Sequence, residues 1–306
     1  MEYINDFEFT TEYECIVTFG KFDGLHIGHK LLIDEALKIA KKTGYKVVMC
    51  TFDMRKWMGN KISQITSNLE RQMVAEKLGI DVLIEIPFDD YIADMSPEEF
   101  VDKIITGKLH AKYVVVGNDW HFGKNRAGDT DLLKALQEKY SYTAVIIDKI
   151  TLDGNEISST WIREELAKGN MPRVKELLGY DYFFLGEIVH GKQLGRTLDF
   201  PTINQKPEKH KVMPPFGVYT SVVEIDGIQY KGITNIGKRP TVDNSDDISV
   251  ETFILDFKRD VYGKLVKVSL TGFIREEKKF TSVEELKKQI EYDIGVAFGS
   301  HENSSL

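Results

Sequence analysis

A glycine-rich segment near the N-terminus of the chain carries two histidines three residues apart. It reads Gly-Lys-Phe-Asp-Gly-Leu-His-Ile-Gly-His over residues 20–29 and directly follows an apolar run at 16–19. Because three residues make less than one helical turn, His26 and His29 can point at the same anion. Glycines and a helix start suit phosphate, and the histidines would stabilise charge on it. The candidate residues are Gly20, Phe22, Asp23, His26, Gly28 and His29.

Two other interpretations of the histidines stay open at this point. They could be solvated side chains of a loop beside a glycine-rich turn, because short motifs of this kind often occur by chance. A zinc site is a weaker interpretation, since no third ligand lies nearby at helical or turn spacing.

Two later segments carry polar groups that suit a nucleotide. Residues 157–163 read Ile-Ser-Ser-Thr-Trp-Ile-Arg before a predicted helix that starts near Trp161. Ser159 or Thr160 alone could be an ordinary N-cap, but Arg163 in the first turn opposes the helix dipole unless an anion compensates. Residues 117–126 follow an apolar run and contain Asp119 and Arg126, which suit a loop that faces a nucleotide.

The C-terminal half contains a second group of candidate residues. A basic loop with Gly191, Gly195 and Arg196 precedes the segment Phe-Pro-Thr-Ile-Asn. Thr202 and Asn204 lie two residues apart, so both side chains share one face of an extended segment. Neutral oxygens together with phosphate suit Mg²⁺, although an edge strand with alternating polar residues would look the same.

Glu251 lies in an alternating segment, 249–255, where its side chain shares a face with largely apolar neighbours. Most strand glutamates are exposed, because burial without a partner is costly. The functional alternative is a carboxylate that accepts a proton from a hydroxyl group.

The elements that would position these residues fall into two groups. Residues 1–180 alternate short apolar runs with amphipathic helices, which predicts a doubly wound, Rossmann-like α/β domain with a parallel sheet. Gly44 predicts a helix end, and Ser67 with Glu70 and Ser96 with Glu99 predict capping boxes. Ligands in such folds bind at the carboxyl ends of the strands.

Residues 181–306 predict a small antiparallel β-barrel with a terminal helix. Their apolar runs are short, alternate with polar residues and are separated by turn signals at 226–227, 235–237 and 262–264. The final helix is predicted from Ser282, with Glu285 three residues on, to about Tyr292.

Composition limits the classes of protein that the chain can be. With 306 residues, two domains are expected, and a net charge of -8 argues against general binding of nucleic acid. No run approaches 18 apolar residues, so no membrane span is expected. The two cysteines form no C-x-x-C pair, and no signal peptide is visible, which favours the cytoplasm. The oligomeric state, including weak self-association, stays open.

Together these segments resemble bacterial bifunctional riboflavin kinase/FAD synthetases. The first half matches the adenylyltransferase module through G-x-F-D-G-x-H-x-G-H, G-x-D-x-x-F-G-x-x-R and I-S-S-T-x-I-R, in this order. The second half resembles the flavokinase module over essentially its whole length. Its patterns are H-G-x-x-x-G-R-x-L-x-F-P-T-x-N, P-F-G-V-Y, N-I-G-K-R-P-T, V-E-T and F-I-R.

The resemblance implies riboflavin kinase and FMN adenylyltransferase activities, with riboflavin, FMN and Mg-ATP as small-molecule substrates. It implies that His26 and His29 contact ATP phosphates and that Thr202 and Asn204 hold Mg²⁺ and ATP phosphates. Glu251 would be the general base for the ribityl 5′-hydroxyl. The remaining implied site residues are Asp119 and Arg126 in the site loop, Ser159, Thr160 and Arg163 at phosphate oxygens, and Arg275 at the flavin.

The chain departs from the family pattern at two places. The family has Thr-Phe-Asp-Pro-His-Pro after its second strand, whereas Met-Arg-Lys occupies 54–56 here, which predicts a slower FAD-forming step. Asp199 replaces a glycine before Phe200 and adds a negative charge near the expected phosphates. Two alternatives therefore remain: a kinase with a weak or lost adenylyltransferase, and a flavin-binding regulator on the same scaffold.

Overall fold

The computed structural model describes residues 1–53, 63–190, 200–238 and 248–299. The chain divides into two compact units, Met1–Ser159 and Thr160–Leu306. The domain boundary predicted between residues 180 and 181 stays a prediction. Within the described ranges, no helix combines the length and the apolar character needed to cross a membrane.

The first unit is built on a six-stranded parallel sheet. Its strands are β1 (Glu2–Ile4), β2 (Cys15–Phe19), β3 (Lys46–Asp53), β4 (Val82–Pro87), β5 (Ala111–Gly117) and β6 (Thr143–Ile147). Their spatial order is β1-β4-β3-β2-β5-β6, so the chain leaves β2 in one direction and returns to β5 on the other side. The carboxyl ends of β2 and β5 are neighbours at this reversal, which is where such sheets bind ligands.

Helices connect these strands and have the capping chemistry that the sequence predicted. They are α1 (Ile27–Thr43), α2 (Asn68–Lys77), α3 (Asp90–Asp94), α4 (Pro97–Phe100), a π-helix (Val101–Lys108), a 3₁₀ turn (Lys124–Arg126) and α5 (Thr130–Tyr140). Gly44 ends α1 with φ 77°, and both predicted capping boxes form. The π-helix was not predicted, and the Thr106 hydroxyl donates to the carbonyls of Val101 and Asp102 within it.

The two faces of the parallel sheet carry different helices. Val17, Val48 and Ile84 point to a core that also contains Val101 of the π-helix and Leu133 of α5. The residues that alternate with them point to the opposite face. Because crossovers between parallel strands are right-handed, α1 and α2 both cover that opposite face.

The second unit contains a six-stranded antiparallel half-barrel. Its strands are β9 (Phe183–Glu187), β10 (Thr202–Gln205), β11 (Gly217–Ile225), β12 (Ile228–Lys238), β13 (Ile248–Ile254) and β14 (Leu265–Glu276). Its helices are α6 (Ser159–Ala167), α7 (Met171–Leu178) and α8 (Val283–Phe298). A short hairpin of β7 (Thr151–Leu152) and β8 (Asn155–Glu156) precedes these elements in the first unit. The spatial order is β10-β13-β12-β11-β14-β9. Val189, just beyond β9, donates its N–H to the Asn204 carbonyl at 2.9 Å and so links the two edges.

Two predictions about the second unit were wrong in detail. Residues 235–237 were expected to form a turn, but β12 continues through them to Lys238 because β11 and β13 pair with both of its sides. The last helix was expected to end near Tyr292, but it continues to Phe298 and ends at Gly299, which has φ 76°. The predicted start at Ser282 is confirmed.

A buried ion pair attaches α8 to the sheet. Asp293 is 1% exposed and accepts from Arg275 of β14, with Nε 3.0 Å from Oδ1 and Nη2 2.8 Å from Oδ2. Gln289, one turn earlier on α8, donates to Asp293 Oδ1 at 2.9 Å. The guanidinium that was expected to border the flavin is therefore engaged by α8.

Asp293→Ala should destabilise the second unit by about 2–3 kcal/mol. This loss of stability is smaller than the usual cost of breaking a fully buried ion pair, because the Arg275 side chain is 22% exposed to solvent. The variant Arg275→Met with Asp293→Leu should recover most of that loss, since no charge is left unpaired. Urea unfolding measures both, and a double variant as unstable as Asp293→Ala would contradict the assignment.

Candidate active sites

The turn between β2 and α1 has an unusual backbone. Phe22 and Leu25 have φ values of 45° and 39°, and Gly24 lies between them at 83°. Left-handed conformations cost free energy for residues with a Cβ, and they concentrate at functional sites. The predicted phosphate segment is therefore a strained turn at the carboxyl edge of the sheet.

Asp23 holds this turn in place. Its Oδ1 accepts from the backbone N–H of Ile65 at 2.8 Å, while Thr66 Oγ1 accepts from the N–H of Gly24 at 3.2 Å. Ser159 donates its hydroxyl to the Asp23 carbonyl at 2.8 Å. The structure thus brings Asp23 and Ser159 together, and their visible contacts fix the backbone of the turn.

His26 caps the start of α1. Its Nδ1 accepts from the backbone N–H of His29, with 3.4 Å between the nitrogens. Burial lowers the pKa of His26 to about 4, so the ring is neutral at pH 7. Because Nδ1 accepts, the one ring proton is on Nε2, and that atom is a hydrogen-bond donor.

The His29 ring stacks on His26, with centroids 3.7 Å apart and planes 20° apart. Burial, the neighbouring His26 and the charge of Arg71 lower the pKa of His29 well below its usual value. The edge of Phe22 lies against the same ring at a centroid distance of 5.2 Å. Two neutral imidazoles therefore accompany the free N–H groups of the helix start.

The glycines of the turn make room for side chains. A Cβ on Gly28 would lie 3.1 Å from the His26 ring, and a Cβ on Gly20 would lie 3.1 Å from the Phe22 ring. Contacts that short force the ring to move. Both glycines thus leave room for the rings in the positions seen here.

The loop after β5 lies at the adjoining strand end. Asn125 and Arg126 both have left-handed φ values, 54° and 58°, and Arg126 is exposed. Gly123 has φ 72° and lies directly on Pro97, where a Cβ would approach the proline nitrogen to 2.6 Å. Asp119 is exposed and pairs with Lys149 at 3.0 Å. The loop is thus a second strained segment at this edge.

Helix α6 starts two residues earlier than the sequence suggested. It begins at Ser159, so Arg163 lies one turn inside it and the argument from an opposed helix dipole loses force. Thr160 and Arg163 belong to the second unit, whereas the histidines belong to the first. The roles of Thr160 and Arg163 stay predictions.

In the second unit, three polar side chains form a row across neighbouring strands. Glu251 of β13 is the register partner of Asn204 on β10 and of Asn235 on β12. Register partners in antiparallel strands point to the same face, so the three side chains are neighbours. Asn204 is 5% exposed, and its Oδ1 is enclosed without a hydrogen-bond partner. Such an atom is unsatisfied unless a ligand or water reaches it.

A cavity of about 250 Å³ lies at the start of β10, where Pro201, Thr202 and Ile203 line it. Thr202, on the same face as Asn204, contributes to its wall together with Phe257, Arg259 and Tyr262. His190 stacks on Tyr262 with a centroid distance of 3.9 Å. The predicted loop with Gly191, Gly195 and Arg196 follows His190 and lies outside the described residues, as do Asp199 and the segment 54–56.

Sequence reasoning missed three residues that contribute to these arrangements. Asn235 was assigned to a turn, and only strand register places it beside Glu251. Arg71 and Glu85 form a buried ion pair, with 2.7 Å between Nη1 and Oε1, on the sheet face that α1 covers. A glutamate inside the apolar strand Val-Leu-Ile-Glu-Ile-Pro was the available signal, since such a residue needs a partner.

The depressed histidine pKa predicts how stability depends on pH. In the unfolded chain His26 binds a proton near pH 6.5, whereas in the folded chain it does so only near pH 4. The free energy of unfolding therefore falls as the pH drops through this interval. The slope is at most about 1.4 kcal/mol per pH unit for each such group.

His26→Asn should flatten this dependence, because asparagine keeps an N-cap acceptor but does not titrate. Thermal unfolding of the first unit at pH 7, 6, 5 and 4 measures it, and His110→Asn, an exposed histidine before β5, is the control. An equally steep loss in His26→Asn would contradict the assignment.

Comparison with known proteins gives matches to both halves. The family model described as FAD synthetase matches residues 8–161, and the one described as riboflavin kinase matches residues 178–299. A bifunctional riboflavin kinase/FMN adenylyltransferase of Listeria monocytogenes is 34% identical over 295 residues, which cover 92% of this chain and 91% of that protein. The Bacillus subtilis protein of the same name is 33% identical, with 92% and 90% covered.

A solved structure agrees over the full length. It is titled "Crystal Structure of Macrolide-efflux Protein from Streptococcus pneumoniae", and it superposes with a TM-score of 0.85 at 29% identity, covering 100% of both chains. That name describes the Streptococcus pneumoniae protein, and the two chains share their fold. Both family models and the curated relatives agree with each other, and this chain belongs to the family of bifunctional riboflavin kinase/FMN adenylyltransferases.

Proposed function

We propose that this chain phosphorylates riboflavin to FMN and then adenylylates FMN to FAD, with ATP as the donor in both steps. The observation that carries the proposal is that each half matches one activity of the family and contains its own separately built polar site. The free, buried cysteines fit a reducing compartment, and we expect the enzyme to act in the cytoplasm.

The phosphorylation step belongs to the row around Glu251. Its carboxylate takes the proton from the ribityl 5′-hydroxyl, whose oxygen attacks the γ-phosphorus of ATP while ADP leaves. Asn204 and Asn235, on either side of Glu251 in register, orient the reacting groups through their amides. The cavity lined by Thr202, Phe257 and Tyr262 offers apolar and aromatic surface for a nucleotide base.

The residues of this site fit Mg²⁺ bound together with ATP. The side-chain amide oxygen of Asn204, Oδ1, is enclosed and unpartnered, and the Thr202 hydroxyl shares its face of β10. Mg²⁺ favours oxygen ligands, takes few of them from protein and binds substrate phosphates. When bound, the ion would neutralise charge on the phosphates. The protein side chains hold it and align the hydroxyl with Glu251.

The adenylylation step belongs to the turn before α1. An oxygen of the FMN phosphate attacks the α-phosphorus of ATP, and pyrophosphate leaves. Neutral His26 donates from Nε2, and the N–H groups at the start of α1 add further donors to the triphosphate. Neither imidazole has to lose a proton to act in this way, so both serve as preorganised donors.

The loop after β5 supplies the other wall of this site. Arg126 is an exposed cation on a strained backbone, which suits a phosphate. Asp119 lies just beyond the carboxyl end of β5 at Gly117. Trp120 is only partly buried and stacks on Phe122 at a centroid distance of 4.6 Å. An aromatic face at this position suits a flat isoalloxazine ring.

A kinase without the second activity and a flavin-binding regulator are the competing functions. A regulator needs a flavin pocket but not two sets of triphosphate donors, so the donor sets favour catalysis. Incubation of riboflavin, Mg-ATP and protein, followed by chromatography of riboflavin, FMN and FAD, separates all three. FMN alone would indicate the kinase, and neither product would indicate the regulator.

Glu251→Gln should reduce FMN formation by about 10²–10⁴-fold, because the shape is kept and the proton acceptor is lost. Adenylylation of supplied FMN should continue, since it uses the other unit. Glu224→Gln, on β11 of the same sheet, is the matched control and should keep the kinase rate. Near-normal kinase turnover in Glu251→Gln would show that this carboxylate is structural.

His26→Ala combined with His29→Ala should suppress FAD formation by at least about 10²-fold and leave FMN formation unchanged. The histidines lie in the first unit and Glu251 lies in the second, so the two rates should separate. The control is His110→Ala, at the amino edge of the sheet. Loss of both activities would point to misfolding or to a single shared site.

A further inference from the structure

A buried ion pair lies on the sheet face that α1 and α2 cover. Arg71 of α2 and Glu85 of β4 are 2.7 Å apart, and their side chains are 4% and 3% exposed. Taking both charges out of water is expensive, and an apolar pair of similar volume would be about as stable. Stability alone therefore does not explain the pair.

The carboxylate of the pair is well satisfied, whereas the guanidinium is not. Glu85 also accepts from the Tyr3 hydroxyl at 2.7 Å and from Asn68 Nδ2 at 2.9 Å. Arg71 donates from Nη1 to Glu85, but its Nε is enclosed without a hydrogen-bond partner. An enclosed N–H on a charged group normally finds an acceptor. Glu85 fixes Arg71 but leaves this donor unused.

His29 supplies the complementary atom. Its Nδ1 is enclosed without a partner, and α1, which carries it, covers the same sheet face as α2. Thr18, whose side chain points to this face from β2, has an enclosed, unpartnered hydroxyl as well. One enclosed water with two to four such partners would satisfy these atoms. The charge of Arg71 is close enough to lower the pKa of His29 further.

We propose that Arg71 is a positioning residue for adenylylation: its Nε–H satisfies Nδ1 of His29 through one enclosed water, and thereby fixes the imidazole proton on Nε2. The role in adenylylation rests on the proposed function, whereas the tautomer does not. Fixed in this way, His29 matches His26, whose Nδ1 already accepts from a backbone N–H. Both rings then present N–H donors to the triphosphate.

The opposite tautomer would be harmful at this site. With its proton on Nδ1, His29 would direct a lone pair from Nε2 towards anionic phosphate oxygens. An arginine is suited to prevent this because it stays protonated and donates only. The groups that act electrostatically on His29 are His26 on the same turn and Arg71 on α2, with Glu85 behind Arg71.

The wild-type protein tests the first half of the proposal without any variant. Long-range ¹H–¹⁵N correlation spectra of protein labelled with ¹⁵N-histidine report which ring nitrogen carries the proton. The chain has seven histidines, and the His29 signal is the one that His29→Gln lacks. We expect the Nε2–H form at pH 7, and an Nδ1–H form would overturn the proposal.

The second half is tested with Arg71→Met combined with Glu85→Gln, which removes both charges and keeps acceptors for Tyr3 and Asn68. We expect His29 to populate both tautomers and its pKa to rise towards the usual value. The kcat of FAD formation should fall about tenfold, a typical loss when the outer partner of a functional imidazole is removed. FMN formation by the other unit reports that the chain has folded.

Tyr3→Phe is the matched control, because it removes one hydrogen bond to Glu85 without touching Arg71. It should keep the His29 tautomer and the rate of FAD formation. A double variant that retains a single Nε2–H tautomer overturns the proposal, whatever its activity, since Arg71 is then only structural. Mixed tautomers with an unchanged FAD-forming rate overturn the positioning role. Absence of FAD formation in the wild type would refute the proposed function and leave the tautomer assignment standing.

Discussion

Two imidazole rings stacked 3.7 Å apart in a buried turn cannot both carry charge, and much of the first unit depends on this constraint. Burial lowers the pKa of both rings, so His26 and His29 are neutral and each carries one ring proton rather than a positive charge. Glycine at position 28 leaves room for the stacking, since a Cβ there would lie 3.1 Å from the His26 ring. The strained backbone beside it persists because Asp23 accepts from the neighbouring segment at Ile65.

The same constraint explains the polar groups that lie behind the turn. An imidazole that must donate in one direction has to accept in the other, so each histidine needs a donor at Nδ1. His26 finds it in the backbone of its own helix. Nδ1 of His29 is enclosed, and the side chain of Arg71 offers an enclosed donor on the same sheet face, while Glu85 offsets the charge that this brings into the core.

The second unit reaches its arrangement through strand register. The pairing of β13 with strands on both sides sets Glu251 between two asparagines, Asn204 and Asn235. On the face of the sheet opposite to Glu251, the Thr234 hydroxyl donates to the Ser221 hydroxyl at 2.8 Å and lies 2.9 Å from the Thr252 hydroxyl. These buried hydroxyls match only in one register, because a slip by one residue turns every side chain to the other face. The polar interior therefore supports the alignment of the outer row.

Local patterns were enough to predict much of this protein. The alternation of apolar runs with amphipathic helices predicted the parallel sheet, the change of pattern predicted the antiparallel sheet, and the capping boxes fixed two helix starts, because these signals act over a few residues. The motifs also predicted the family by resemblance. The π-helix and the continuation of β12 through 235–237 were missed, since each depends on longer-range hydrogen bonding.

The sequence by itself determined the types of element and the set of polar residues, because both depend on neighbours along the chain. The tertiary structure decided what those residues do. It neutralised the histidines by burial, directed Arg275 to Asp293, and gave the Asp23 carboxylate the backbone N–H of Ile65 as its partner. It also set Asn235 beside Glu251 and Arg71 behind His29. Charge state, tautomer and hydrogen-bond partner depend on desolvation and on groups distant in sequence, and only folding brings these together.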